Sequence, residues 1–218
     1  MKDNTEYIRK QTSELLCRQT VENLVQRNFD AIYCDKAANA ADFILDSAAN
    51  AKTVGMGGSQ SVKDLGIFEK LRAKGAKLLI HSDPNLTPDE RNYAMKGQQT
   101  CDVFVSGINA LTSNGEIVNI DGVGNRVSAS IFGPGKIILV AGRNKIVNGD
   151  IADAIKRIKQ ASAPVNSLRL SKDTPCAKTG ICEDCDSSDR ICRVTVIMER
   201  KPSRSDITVL VVNEDLGF

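Results

Sequence analysis

Thr53-Val54-Gly55-Met56-Gly57-Gly58-Ser59-Gln60-Ser61, then the run Val62 to Lys74, then Gly75 and Lys77-Leu78-Leu79-Ile80, reads as strand, helix and strand in that order. A short apolar run ending in glycines gives way to helical periodicity, which Gly75 stops before a second apolar run begins. Two strands joined through a helix pair in parallel, by a right-handed crossover. The pattern continues on both sides. Upstream lie Ala31-Ile32-Tyr33-Cys34 and a helix through Ala37, Ala41, Phe43, Ile44 and Leu45. Downstream come a helix over Asp89 to Lys96, the strand Cys101 to Val105, and Glu116 to Ile120 after an Asn114-Gly115 turn. A helix over Arg126 to Phe132, the strand Lys136 to Ala141 and a helix over Gly149 to Ala161 complete the run. This is an α/β fold: a mostly parallel sheet with helices on both faces.

Two segments frame that core. Ile8, Leu15, Leu16, Val21, Leu24 and Val25 recur at helical spacing, so residues 1–30 form an N-terminal helical segment of one or two helices covering the sheet or a partner subunit. Residues 31–163 are the α/β core. Beyond Pro164 the periodicity breaks, and residues 164–218 read as a Cys-rich loop to Arg193 followed by two closing strands of the same domain, Val194 to Met198 and Ile207 to Val212. Lys201-Pro202-Ser203-Arg204-Ser205 between them suits a hairpin connection.

At 218 residues the chain is long enough for a substantial core. Twenty-nine basic and 27 acidic residues give a formal net charge of +2, with no long run of either sign, which argues against nucleic acid and anionic membranes as partners. Three tyrosines, six phenylalanines and no tryptophan offer little for base stacking. The apolar stretches are strand-length, and Met1 to Glu6 has no apolar segment of an export signal, so the expectation is a cytoplasmic chain outside the membrane.

Two stretches carry candidate binding residues. Gly57, Gly58 and Ser59 follow a strand and precede a helix. Glycines let the backbone approach an anion, helix-starting N–H groups are unpaired, and Ser59 and Ser61 add hydroxyls; a tight turn with Ser59 as a cap is the simpler use of the same residues. The spacing fits neither nucleotide-binding fingerprint. The second stretch, Ser106 to Arg126, starts at the C-terminal end of a predicted strand, where open α/β sheets hold ligands. Ser106, Asn109, Asn119 and Asn125 could orient a polar ligand, Arg126 could pair with a carboxylate or phosphate, and Asp121 or Glu116 could serve as acid or base. His81, the one histidine, ends a strand on the ligand-bearing edge. Its natural reading is a hydrogen-bonded structural position, and any histidine-dependent hydrolase would rest wholly on it.

Of seven cysteines, Cys17, Cys34 and Cys101 are scattered and read as small buried side chains. Cys176, Cys182, Cys185 and Cys192 are clustered, with a central Cys-x-x-Cys. Four thiolates suit tetrahedral zinc or an iron–sulfur cluster; reversible disulfides or free thiols are the other states open to them.

Gly57-Gly58-Ser59, Asn119 to Val127, Ile131-Phe132-Gly133-Pro134, Gly142 to Val147, Ala163-Pro164-Val165-Asn166, Thr174 to Cys182 and Arg190-Ile191-Cys192 together resemble the stand-alone LUD-domain ("lactate utilisation") proteins, from about residue 5 to Phe218. That resemblance implies a fold akin to ribose-5-phosphate isomerase, glucosamine-phosphate deaminase and the CoA transferases. It also implies a link to lactate-utilisation protein C, which acts with iron–sulfur partners. The resulting expectation is an accessory component of lactate or hydroxyacid metabolism that binds a small phosphate- or carboxylate-bearing anion. An iron–sulfur oxidoreductase or a second copy of the chain would be its partner, and the four cysteines would hold zinc or a cluster. A sugar-phosphate isomerase or an acyl/CoA transferase is the enzyme alternative, and a redox or metal sensor the regulatory one. Gly107 to Val118 is similar to the methylthioribose-phosphate isomerase segment, but Asn109 stands where that family has its catalytic aspartate. Glu116 is the nearest candidate for a CoA transferase's nucleophilic glutamate.

Overall fold

The computed structural model describes residues 2–218, with side chains described for Thr5 and from Tyr7 onward. Met1, part of the stretch read as lacking an export signal, lies outside the described residues. The helices are α1 (Lys2–Gln26), α2 (Ala37–Ser47), α3 (Gln60–Asp64), α4 (Phe68–Ala73), α5 (Pro88–Gly97), α6 (Asn125–Ala129), α7 (Ile151–Arg157), α8 (Ala163–Arg169) and α9 (Pro175–Thr179). The strands are β1 (Asp30–Cys34), β2 (Thr53–Met56), β3 (Lys77–Ile80), β4 (Val103–Gly107), β5 (Ala110–Thr112), β6 (Ile117–Asp121), β7 (Lys136–Gly142), β8 (Ile146–Val147), β9 (Val194–Met198) and β10 (Ile207–Val212).

Six strands form a wholly parallel sheet in the order β1-β10-β7-β4-β2-β3. Because successive side chains in a strand point to opposite faces, β7 and β10 divide their residues between two cores. Ile138, Val140, Leu210 and Val212 meet Ile44 of α2, Val62 of α3 and Leu71 of α4. Ile137, Leu139, Val209 and Val211 meet Cys17 and Leu24 of α1. Burial on both faces explains why β7 and β10 are continuous apolar runs.

A second sheet, β8-β5-β6-β9, lies on the α1 side and brings Leu111, Ile117 and Met198 into that core. β5 and β6 are antiparallel around the expected turn, where Gly115 takes φ +92°. The far face of this sheet offers Ala110, Val118 and Ile120 to Ala154 of α7 and to Ile158. The parallel core with helices on both faces is therefore as expected, with a small sheet sharing one face.

Four local expectations are corrected. The two last strands do not form a hairpin: β9 pairs antiparallel with β6, while β10 enters the parallel sheet between β1 and β7. The run Val62 to Lys74 is two short helices, broken at Gly66, whose φ of +63° lies outside the helical region. The helix expected over Arg126 to Phe132 spans Asn125–Ala129. Finally, Pro164 does not end regular structure. A π-helical turn over Ile158–Ser162 links α7 to α8, and Pro164 lies directly after that turn, inside the continuing helix.

Candidate functional site

The C-terminal ends of β2, β3, β4 and β6 open into a cleft of about 390 Å³. This is the size range of small-molecule sites, at the edge where open α/β sheets place them. Gly58, Ser59, Asn109, Asp121, Asn125 and Arg126 all line it, whereas Gly57 and Ser106 sit immediately behind. Gly57 is a glycine because a Cβ there would stand 2.6 Å from Ser106 Oγ and 3.0 Å from Arg126 Cγ. The same holds for Gly107, whose Cβ would collide with Ser59 Oγ. These glycines thus serve close packing of the loop against β4. Ser59 accepts from Val62 N at 3.4 Å as the cap of α3, and its hydroxyl hydrogen goes to no described residue.

Arg126 holds this end of the sheet together. Its Nε donates to Asp121 Oδ2 at 3.1 Å. One terminal nitrogen donates to Gly107 O and Asn119 Oδ1, the other to Asn109 Oδ1 and Ile120 O, over 2.8–3.2 Å. A guanidinium has five N–H donors, and all five are committed to the protein. Arg126 therefore fixes the cleft and supplies charge without a free hydrogen for a ligand. Burial pushes its pKa down, and Asp121 opposes that push.

The side-chain oxygens of Asn109, Asn119 and Asp121, expected to act on a ligand, are also engaged by the protein. Asn109 N donates to Asn119 Oδ1 and Ile120 N to Asn109 Oδ1, a reciprocal pair bridging the strands. Asp121 Oδ1 accepts from Val123 N and Gly124 N while Oδ2 takes Arg126, so the carboxylate closes its own turn. Asn125 Nδ2 donates to Gln98 Oε1. Glu116 is outside the cleft altogether: it pairs with Arg27 of α1 and accepts from Thr112, tying the hairpin to the N-terminal helix. This removes Glu116 as an acid, base or acyl nucleophile for this cleft.

Further side chains line the cavity or, like the fully buried Gln98, stand behind its lining. Gln98 Nε2 donates to the carbonyls of Met56 (2.8 Å) and Leu79 (2.9 Å), which fixes the orientation of its amide. His81 Nδ1 lies 3.0 Å from that same nitrogen, whose two hydrogens are directed at the carbonyls; with Nδ1 sharing one of them as acceptor, the neutral ring's proton is on Nε2, the atom facing Gly58. Burial lowers the His81 pKa and favours this neutral form. Lys145, 4% exposed, also lines the cleft and donates to Ser61 Oγ and Ile108 O, both at 3.1 Å. Burial, reinforced by Arg157 and Arg126, pushes its pKa down to about 7. Arg91, Arg169 and Lys172 complete the basic lining, against Asp121 as the acidic side chain among the described lining residues. The sequence reading did not single out Lys145, Arg91, Arg169 or Lys172. Lys145 lay within a segment matching the family, but its polar neighbours Arg143 and Asn144 gave no sign of burial.

Cys176, Cys182, Cys185 and Cys192 line one smaller cavity of about 20 Å³. All four are free thiols, and among the described residues no three His, Cys, Asp or Glu side chains are set as a metal-ligand group. Burial and the neighbouring Cys182 raise the pKa of Cys192. Arg190 braces the loop by donating to Cys192 O at 2.8 Å and Cys185 O at 2.6 Å. Cys17, Cys34 and Cys101 are buried as expected.

The family described as the LUD domain matches by its model over residues 17–212. The chain belongs to the LUD domain family. Among solved structures it is similar to a DUF162 family protein from Deinococcus radiodurans, at 15% identity and a TM-score of 0.51, covering 92% of this chain and 98% of that one. It is also similar to eIF2B beta from Chaetomium thermophilum, at 16% identity and a TM-score of 0.31, over 63% of this chain and 44% of that one. No curated protein matches. At these identities the structural likeness concerns the fold. This LUD-domain chain has no helix among the described residues long and apolar enough to cross a membrane.

Proposed function

We propose that this LUD-domain protein binds a small carboxylate- or phosphate-bearing anion in the cleft, as an accessory component of lactate or related hydroxyacid metabolism. The observation that carries the reading is the cleft's charge. Arg91, Arg126, Arg169 and Lys172 surround it with Asp121 as the acidic side chain among the described lining residues, and Asp121 is already paired with Arg126. An anion entering such a partly enclosed cavity gains more from these charges than it would in bulk water. The Nε2–H of His81 and the uncommitted hydroxyl hydrogen of Ser59 supply directional donors. The cysteine loop is the second part of the reading: it holds a thiophilic metal next to the cleft. Four thiols lining one cavity support this, and a metal would have to draw them together, since among the described residues no three are set as a ligand group as they stand.

Calorimetric titration with inorganic phosphate, L-lactate and pyruvate tests the anion reading. Saturable binding of at least one, weakened about tenfold or more in Arg169→Ala/Lys172→Ala and by raised salt, is expected. Absence of saturable binding to all three at millimolar concentration would overturn it.

A further inference from the structure

Lys145 is unusual among the cleft's cations because it is buried and touches no carboxylate. The acceptors it does meet are fixed. Ser61 spends its hydroxyl hydrogen on Leu216 O at 3.1 Å, so its oxygen can only accept from Lys145; Ile108 O is a carbonyl. Two N–H bonds are thereby satisfied and the remaining tetrahedral position is not. That position is left to the cleft that Lys145 lines: an ammonium would aim a third hydrogen into it, a neutral amine its lone pair. The surroundings favour the amine: burial, Arg157 and Arg126 disfavour a further positive charge, against a smaller opposing pull from Asp64. A desolvated amine beside other cations, in a cavity open to small molecules, is the arrangement that activates a lysine as a nucleophile.

We propose that Lys145 captures carbonyl compounds: its amine condenses with an aldehyde or ketone that also carries an anionic group, forming an imine in the cleft. The proposal rests on the anion-binding reading, because the other basic side chains would hold the anionic end. In the step, the Nζ lone pair forms the C–N bond while the carbonyl π bond breaks and its oxygen takes a proton. The nitrogen then loses its hydrogens as the C–OH bond breaks, and the hydroxyl leaves with a proton as water. Amine and carbonyl give imine and water, with no change in oxidation state. The substrate class is thus an oxo carboxylate or an oxo phosphate. A lysine serving purely to pin α3 to the β4–β5 connection would make the same hydrogen bonds and form no adduct.

The whole chain is incubated with sodium cyanoborohydride and, in separate arms, pyruvate, glyceraldehyde 3-phosphate or the neutral propionaldehyde, and modified lysines are mapped by peptide mass spectrometry. Labelling of Lys145 by an anionic carbonyl about tenfold or more above the average exposed lysine, suppressed by inorganic phosphate, is expected. Whichever of the two anionic arms labels it identifies the substrate class. Labelling spread over surface lysines without enrichment at Lys145 would overturn the proposal, as would equal labelling by propionaldehyde. Lys145→Arg has no nucleophilic amine and should lose the adduct; mapping on the unaltered chain decides the matter even if that variant does not fold. Calorimetric phosphate binding without any Lys145 adduct defeats the imine alone, and absence of both defeats the anion site as well.

Discussion

A guanidinium with five partners cannot be replaced by a point charge. Arg126 ties the ends of β4 and β6, the Asn109–Asn119 pair and the Asp121 turn together. The Arg126–Asp121 side chains are 12% and 9% exposed, so removing one partner leaves a buried charge and several buried acceptors unpaired. We expect Arg126→Lys to lose about 3 kcal/mol of unfolding free energy in urea titrations despite retaining charge. A loss below about 1 kcal/mol would show that the network is looser than its geometry. The sequence made Arg126 visible as a cation at a strand-to-helix junction. It did not show that the donors are saturated, because each acceptor comes from a different part of the chain. Lys145 is the converse case: it follows the polar Arg143 and Asn144, and its burial arises from α3, the β4–β5 connection and the C-terminal segment closing over it.

The strands were legible wherever an apolar run was long enough to need cover on both faces, as in Ile137 to Ala141 and Ile207 to Val212. What was not legible was which strand each would join. β9 and β10 are near in sequence, but their pairing energy comes from β6 and from β1 and β7, all remote. Glycines at the connections mix two situations that sequence cannot separate. Gly66 has φ +63° with open space around its Cβ position, whereas Gly133 has φ +118° with the Gln99 carbonyl oxygen in the way. Gly66→Ala should therefore cost about 1–2 kcal/mol, the backbone strain alone. Gly133→Ala should cost distinctly more, since α5's C-terminal connection must also move. Comparing the two in thermal melts checks this, and equal Tm losses would contradict it.

Across the whole molecule, the cysteine loop and the cleft are one construction. Ala163, Ile191 and Cys192 line both cavities. Arg193 N donates to Asp121 O at 3.0 Å, and Gly122 lies so near Ile191 that a Cβ would be 3.2 Å from its carbonyl oxygen. A metal drawing the four thiols together would move Cys192, and the residues on either side of Cys192 are pressed against the turn that positions Asp121 and Arg126. Coupling between two sites is reciprocal and typically about 5- to 150-fold in affinity. We expect protein purified anaerobically to contain stoichiometric zinc by elemental analysis, without the visible absorption of an iron–sulfur cluster. Zinc-loaded and zinc-depleted protein should then differ about fivefold or more in affinity for phosphate, and saturating phosphate should shift zinc affinity by the same factor. Cys182→Ser/Cys185→Ser should bind phosphate as the depleted protein does, with or without added zinc. Equal phosphate affinities with and without bound zinc would separate the sites, leaving the cysteines a local brace for the loop; sulfide-bearing iron in place of zinc would turn the shared wall into a path for electrons between cluster and cleft.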